Sequence, residues 1–99
     1  MTRTTQLRRY RIVEGQTAAF TAWFRERLLP ARTAFGFVLE FAVVVPETDE
    51  FVWAVSAEGD AEAFADLAAA WDGSPERRAV FEGAPQRVAA MDLRIAEPL

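Results

Sequence analysis

Cysteine, histidine, lysine and asparagine are absent from the 99 residues, and each absence closes a branch of chemistry. Without cysteine there is no disulfide, no thiolate nucleophile and no thiolate metal ligand, so the chain is indifferent to the redox state of its compartment. Without lysine no Schiff base can form. Without histidine there is no imidazole general base, no Ser–His pair and no histidine ligand for a metal or a haem iron. With no histidine or cysteine to ligate haem iron, Tyr10 is left as the candidate ligand, and the acidic residues show no oxygen-ligand spacing of the calcium-loop kind. No cofactor and no metal are expected. All 11 basic residues are arginine, a bias that, with the heavy use of alanine, is that of a GC-rich bacterial genome.

Long apolar runs are also missing: none approaches the roughly 18 residues that a membrane helix needs, and the start MTRTTQL has no apolar signal core. The expectation is a cytoplasmic protein without a membrane partner. With 15 acidic against 11 basic residues the net charge is −4, so no basic footprint invites nucleic acid. The one cationic cluster, Leu7-Arg8-Arg9-Tyr10-Arg11, is short and strand-like.

What is abundant is apolar surface. The chain is 52% hydrophobic, with three Trp and eight Phe, yet a single domain over 1–99 buries only about 60 to 65% of its unfolded surface if it folds alone. Self-association is the expected outlet.

Periodicity divides the chain. Gln6–Val13 alternates as a strand, with Arg8, Tyr10 and Ile12 on one face and Leu7, Arg9, Arg11 and Val13 on the other. After Glu14-Gly15, Thr17 is the expected N-cap of a helix carrying Phe20, Trp23 and Phe24, which runs through Pro30 and stops at Gly36. Phe37–Val45 and Phe51–Ser56 form a hairpin around Pro46-Glu47-Thr48-Asp49-Glu50. Asp60 caps a helix over Ala61–Trp71, Ser74-Pro75-Glu76 opens another, and Arg87–Ala96 alternates as a last strand. The order β-α-β-β-α-β is the α+β ferredoxin-like sandwich, in which the helices cover one face of a four-stranded antiparallel sheet.

The other face of such a sheet is polar in a monomer. Here Phe37, Leu39, Phe41, Val43 and Val45 alternate with Val38, Ala42 and Val44, which are apolar too, and only Glu40 interrupts them. A sheet apolar on both sides needs a second cover, and a second copy of the chain supplies it: a homodimer is expected.

The opening Leu7-Arg8-x-Tyr10-x-Ile12, the first helix with Phe20 and Trp23/Phe24, the Leu28-Leu29-Pro30 step, the Gly36-Phe37 exit, the Trp53 strand and the late Ser74-Pro75-Glu76 helix together resemble the NIPSNAP-like branch of the dimeric α/β-barrel superfamily, from about Leu7 to Ile95. The resemblance implies two sheets packed into a barrel with helices outside and a pocket between each sheet and its helices. Related branches include cofactor-independent monooxygenases and haem-degrading or haem-using enzymes, and most NIPSNAP-like proteins have no established activity.

Three residues are candidates for catalysis or binding. Glu40 lies in mid-strand among apolar neighbours, where a desolvated carboxylate is poised as a general acid or base unless an arginine pairs with it or a sheet edge exposes it. Arg8 and Tyr10 share a face; the first offers a forked donor to a carboxylate or enolate, the second a phenolic donor. Alternatively Asp92 and Arg94 of the last strand balance the arginines of the first, and a shift of one residue would present Arg9 and Arg11 instead. Trp23, Trp53 and Trp71 suit either a core or the wall of an aromatic-ligand pocket. Pro30 either shapes the first helix or frees the Glu26 carbonyl for a ligand. The expected function is a pocket for a small apolar or aromatic molecule, with cofactor-independent chemistry such as monooxygenation open; the alternatives are a non-catalytic dimeric scaffold and, more remotely, a haem-related protein.

Overall fold

The computed structural model describes residues 2–99. Four strands, β1 (Arg3–Ile12), β2 (Val38–Val45), β3 (Glu50–Glu58) and β4 (Val88–Ala96), form one antiparallel sheet in the order β2-β3-β1-β4. The helices are α1 (Thr17–Trp23), α2 (Leu29–Phe35), α3 (Ala61–Asp72) and α4 (Pro75–Phe81). This is the α+β ferredoxin-like arrangement the sequence order implies, with β1 starting three residues earlier and β3 extending further at both ends than the alternation marks, and β2 and β4 each starting one residue later.

The caps are local chemistry. Asp60 Oδ1 accepts from the Ala63 amide at 2.9 Å, and Ser74 Oγ accepts from the Arg77 amide at 3.1 Å while donating to the Trp71 carbonyl at 2.7 Å. Thr17, expected as the cap of α1, is instead its first residue; Gln16 precedes it and caps with no side-chain bond. Gly36 ends α2 at φ +126°, a conformation that side-chain-bearing residues rarely adopt.

Between α1 and α2, Phe24–Leu28 forms a π-helical turn, in which the Leu29 amide donates to the Phe24 carbonyl five residues back. Pro30 follows at once, so the wide turn stands where the proline ring would otherwise press on the carbonyl four residues earlier. The turn also corrects a phase. In a regular helix four residues advance about 40° beyond a full turn, so three such steps would carry Arg32 about 120° away from Phe20. One extra residue takes back about 100° of that. Phe20, Phe24, Leu28 and Arg32 are accordingly all buried against the sheet.

A second irregularity sits in β2. Leu39 pairs with Val55 and Phe41 with Ala54, leaving Glu40 as a bulge. The bulge exchanges the two faces of the strand beyond it. Leu39, Ala42 and Val44 share the face of Val55, Trp53 and Phe51, toward the helices, whereas Val38, Phe41 and Val43 lie on the opposite face with Ser56, Ala54 and Val52. The simple alternation expected from the sequence therefore holds only up to Glu40. Val38, Phe41 and Val43 are each exposed by 43–48% on the face without helices.

The core lies between the sheet and the helices and is mostly aromatic. Trp53, fully buried, meets Phe24 edge-on at 5.0 Å and Tyr10 at 5.9 Å. Phe37 packs against Phe64 and Trp71 at the other end of the helix layer. Burial of each such ring is worth about 1.5–3 kcal/mol.

Candidate functional site

Because β1 is central and its even-numbered residues face the helices, Arg8, Tyr10 and Ile12 enter the helix–sheet layer while Arg9 and Arg11 stay exposed. Ile12 packs into the core; Arg8 and Tyr10 line a cavity of about 510 Å³ between β1, β4 and the helices. The π turn and α2 add Leu28 and Arg32, the end of α3 adds Trp71 and Asp72, and α4 adds Arg77 and Phe81. Met91 and Leu93 of β4, opposite Tyr10 and Arg8 in register, complete the strand wall.

The polar groups of this cavity are mainly donors. Arg8 Nε donates to the Tyr10 phenol oxygen at 2.7 Å, and Arg8 Nη1 to Gln6 Oε1 at 2.6 Å. The Arg8 carbon at the fork of the guanidinium stands 5.2 Å from the Trp53 ring centre. Arg32 is 94% buried (6% exposed), and its guanidinium lies over three rings, Phe37 at 4.9 Å and Trp53 and Trp71 each at 5.2 Å. These cation–π contacts offset part of the cost of burying the charge. They do not cancel it: burial, followed by the charge of Arg8, lowers the Arg32 pKa from the ordinary guanidinium range to about 10. The guanidinium is therefore still protonated at neutral pH.

Among the described residues, neither Arg8 nor Arg32 has a carboxylate within 4.0 Å. The acidic partners expected from β4 are elsewhere. Asp92 is opposite Arg9, on the other face of the sheet, and pairs with Arg94 at 2.9 Å. Arg9 pairs with Glu50 at 3.2 Å. Among the described residues the only acidic one on the cavity wall is Asp72, largely exposed and 3.9 Å from Arg77.

Glu40 does not join Arg8 and Tyr10. It lies on the face without helices, where the alternation from Leu39 already puts it, and there it accepts from Ser56 Oγ at 2.5 Å and faces Arg3 Nη1 at 3.5 Å. Of the three tryptophans, Trp23 and Trp71 line the cavity and Trp53 is core. Sequence reading missed Arg32. Its signal was the four-residue ladder Phe20, Phe24, Leu28, Arg32, which is a single face only with the π turn in place.

No protein-family profile matches the sequence, and no curated protein matches it significantly. Solved structures do. A NIPSNAP family protein from Agrobacterium tumefaciens superposes with a TM-score of 0.85 at 14% identity, over 99% of this chain and 94% of the other. An uncharacterized NIPSNAP domain protein from Burkholderia xenovorans gives 0.83 at 16% identity, over 97% and 94%. A protein from Bacteroides thetaiotaomicron described as a putative antibiotic biosynthesis monooxygenase gives 0.70 at 19% identity, over 99% and 90%. At such identities the likeness is one of fold, and it is the likeness that the opening strand, the proline step and the late helix imply. The chain has the α+β ferredoxin-like fold of NIPSNAP family proteins, which are its structural neighbours, and of the monooxygenase-like proteins related to them in fold.

Proposed function

We propose that this protein binds a small apolar or aromatic molecule in the cavity between sheet and helices. The observation that carries the reading is the cavity itself: about 510 Å³, walled by Phe20, Leu28 and Trp71, with Arg8, Tyr10 and Arg32 as its convergent polar groups. Ligand sites have this size and this mixture of apolar wall and few polar anchors. A scaffold would fill such a space and pair such charges, so the scaffold reading is the weaker one. Glu40, outside the cavity, has no place in this reading.

The test is a screen of two-ring aromatic compounds by thermal shift and tryptophan fluorescence, repeated on Ala68→Phe, which fills the cavity from α3. Binding to the parent protein that is lost in a folded Ala68→Phe variant supports the reading. Binding that survives a filled cavity, or no binding by any compound, refutes it.

A reaction on the bound molecule is the second reading, favoured by the likeness to the putative monooxygenase. A phenol or enol held by Arg8 and Tyr10 would be oxidised by O₂, one oxygen atom entering the ring as a carbonyl and the other leaving as water. Oxygen uptake with a hydroxynaphthalene, dependent on Tyr10, tests it. The uncovered apolar face of Val38, Phe41 and Val43 supports a homodimer, the partner chain supplying the cover.

A further inference from the structure

We infer that the cavity is built for an anion, and that its ligand carries a carboxylate or similarly delocalised oxyanion held between Arg8 and Arg32. The inference rests on the pocket reading above and names the chemistry of its occupant.

Two observations carry it independently. The first is charge: the cavity wall holds four arginines, Arg8, Arg32, Arg77 and Arg87, against the single carboxylate of Asp72, in a protein whose net charge is −4. Positive charge is thus gathered in a cavity whose low-dielectric walls strengthen its field. Two of these guanidiniums, Arg8 and Arg32, are nine-tenths or more buried with no carboxylate within 4.0 Å among the described residues. An unpaired buried charge is costly and ordinarily paired.

The second is the hydrogen-bond inventory. Among the described residues, four buried side-chain atoms have no partner: Arg32 Nε, Trp53 Nε1, Trp71 Nε1 and Arg87 Nε. Every one is an N–H donor, and three belong to residues of the cavity wall. Tyr10, its oxygen already accepting from Arg8, offers its own O–H as a further donor. A cavity supplied with donors and short of acceptors is complementary to a group of acceptors only, which is what an ionised carboxylate is. Water would satisfy single donors and leave both guanidinium charges unbalanced. The apolar remainder of the wall favours a singly charged, delocalised anion over a strongly hydrated phosphate dianion, whose desolvation costs more.

The test compares 1-naphthoate with 1-naphthamide, its uncharged isostere, by calorimetry and quenching of tryptophan fluorescence on the purified protein and on Arg32→Met. Expected is naphthoate binding at least about tenfold tighter than the amide, as charge-assisted hydrogen bonds allow, with the advantage lost in Arg32→Met while the amide still binds. Equal binding of the two by the parent protein overturns the anion inference and leaves the pocket reading intact. Binding of neither overturns both. Inorganic phosphate that displaces naphthoate with equal or higher affinity overturns the carboxylate assignment. If Arg32→Met does not fold, Arg32→Gln, which drops the charge and keeps a donor, takes its place, and the comparison on the parent protein decides regardless.

Discussion

The Tyr10 phenol oxygen accepts a 2.7 Å hydrogen bond from Arg8 Nε, two residues along the same strand and on the same face. The phenol thereby fixes one edge of a buried guanidinium and keeps its own proton for something else. Tyr10→Phe should leave the ring packed against Phe20 and Trp53 and strip Arg8 of an acceptor. A loss of about 1.5–3 kcal/mol in urea unfolding is expected, the range for hydrogen bonds to charged groups. A loss below about 0.5 kcal/mol would mean that the bond is made equally well by water.

Arg32→Met should act in the opposite direction. A buried charge without an ion pair is a standing cost, and replacing such groups by apolar ones of similar volume is often stabilising. The gain at pH 7 should be about 1–3 kcal/mol, partly offset by lost cation–π contacts. A variant less stable than its parent at pH 7 would show that those contacts outweigh desolvation.

The same residue sets a pH dependence. With a folded-state pKa lowered to about 10, Arg32 holds fewer protons in the folded than in the unfolded chain from about pH 10 up to the ordinary guanidinium range. Stability rises with pH wherever the unfolded state holds more protons, so the burial penalty is complete below about pH 10 and is relieved as pH climbs above it. The advantage of Arg32→Met should therefore shrink by about 1 kcal/mol between pH 7 and pH 11. Parent and variant unfolding curves at both pH values measure it, and an advantage unchanged at pH 11 would contradict the lowered pKa.

Phe41 and Val44 separate the two faces of β2. Phe41 lies on the face without helices and Val44 on the helix side of the edge strand, although both are about 40% exposed. On the proposed homodimer, sedimentation of Phe41→Glu should show a folded monomer and that of Val44→Glu a dimer. Dimers in both variants would place the contact elsewhere.

Ser74 ties the chemistry of α3 to that of α4, capping Arg77 and holding the Trp71 carbonyl. Ser74→Ala should cost about 1–2 kcal/mol, the upper part of the range for a lost cap, and loosen the side of the cavity that carries Trp71 and Arg77. Denaturation and the change in tryptophan emission would report both.

The element order was legible because each element carries its own local signal: alternation in β1 and β4, Asp60 and Ser74 at helix starts, Gly36 at a helix end. Which face of β1 meets the helices was not legible, because Leu7 and Val13 on one face balance Tyr10 and Ile12 on the other. What periodicity could not convey were the two places where the chain carries one residue more than the regular period. The bulge at Glu40 turned the residues after it to the other side of the strand, and the turn at Phe24–Leu28 brought Arg32 into the cavity. Both are backbone events decided by what packs across the layer, so a pattern fitted to a constant period passes over them.

The wide turn ahead of Pro30 has a bearing on how this chain is compared with others. A helix with one residue inserted and a helix without it superpose well in space yet fall out of step in sequence, so that counting forward from Phe20 in a protein lacking the insertion reaches the wrong position for Arg32. Equivalent guanidiniums in proteins of this shape are to be sought by superposing the cavity wall, with a one-residue gap permitted inside the helix.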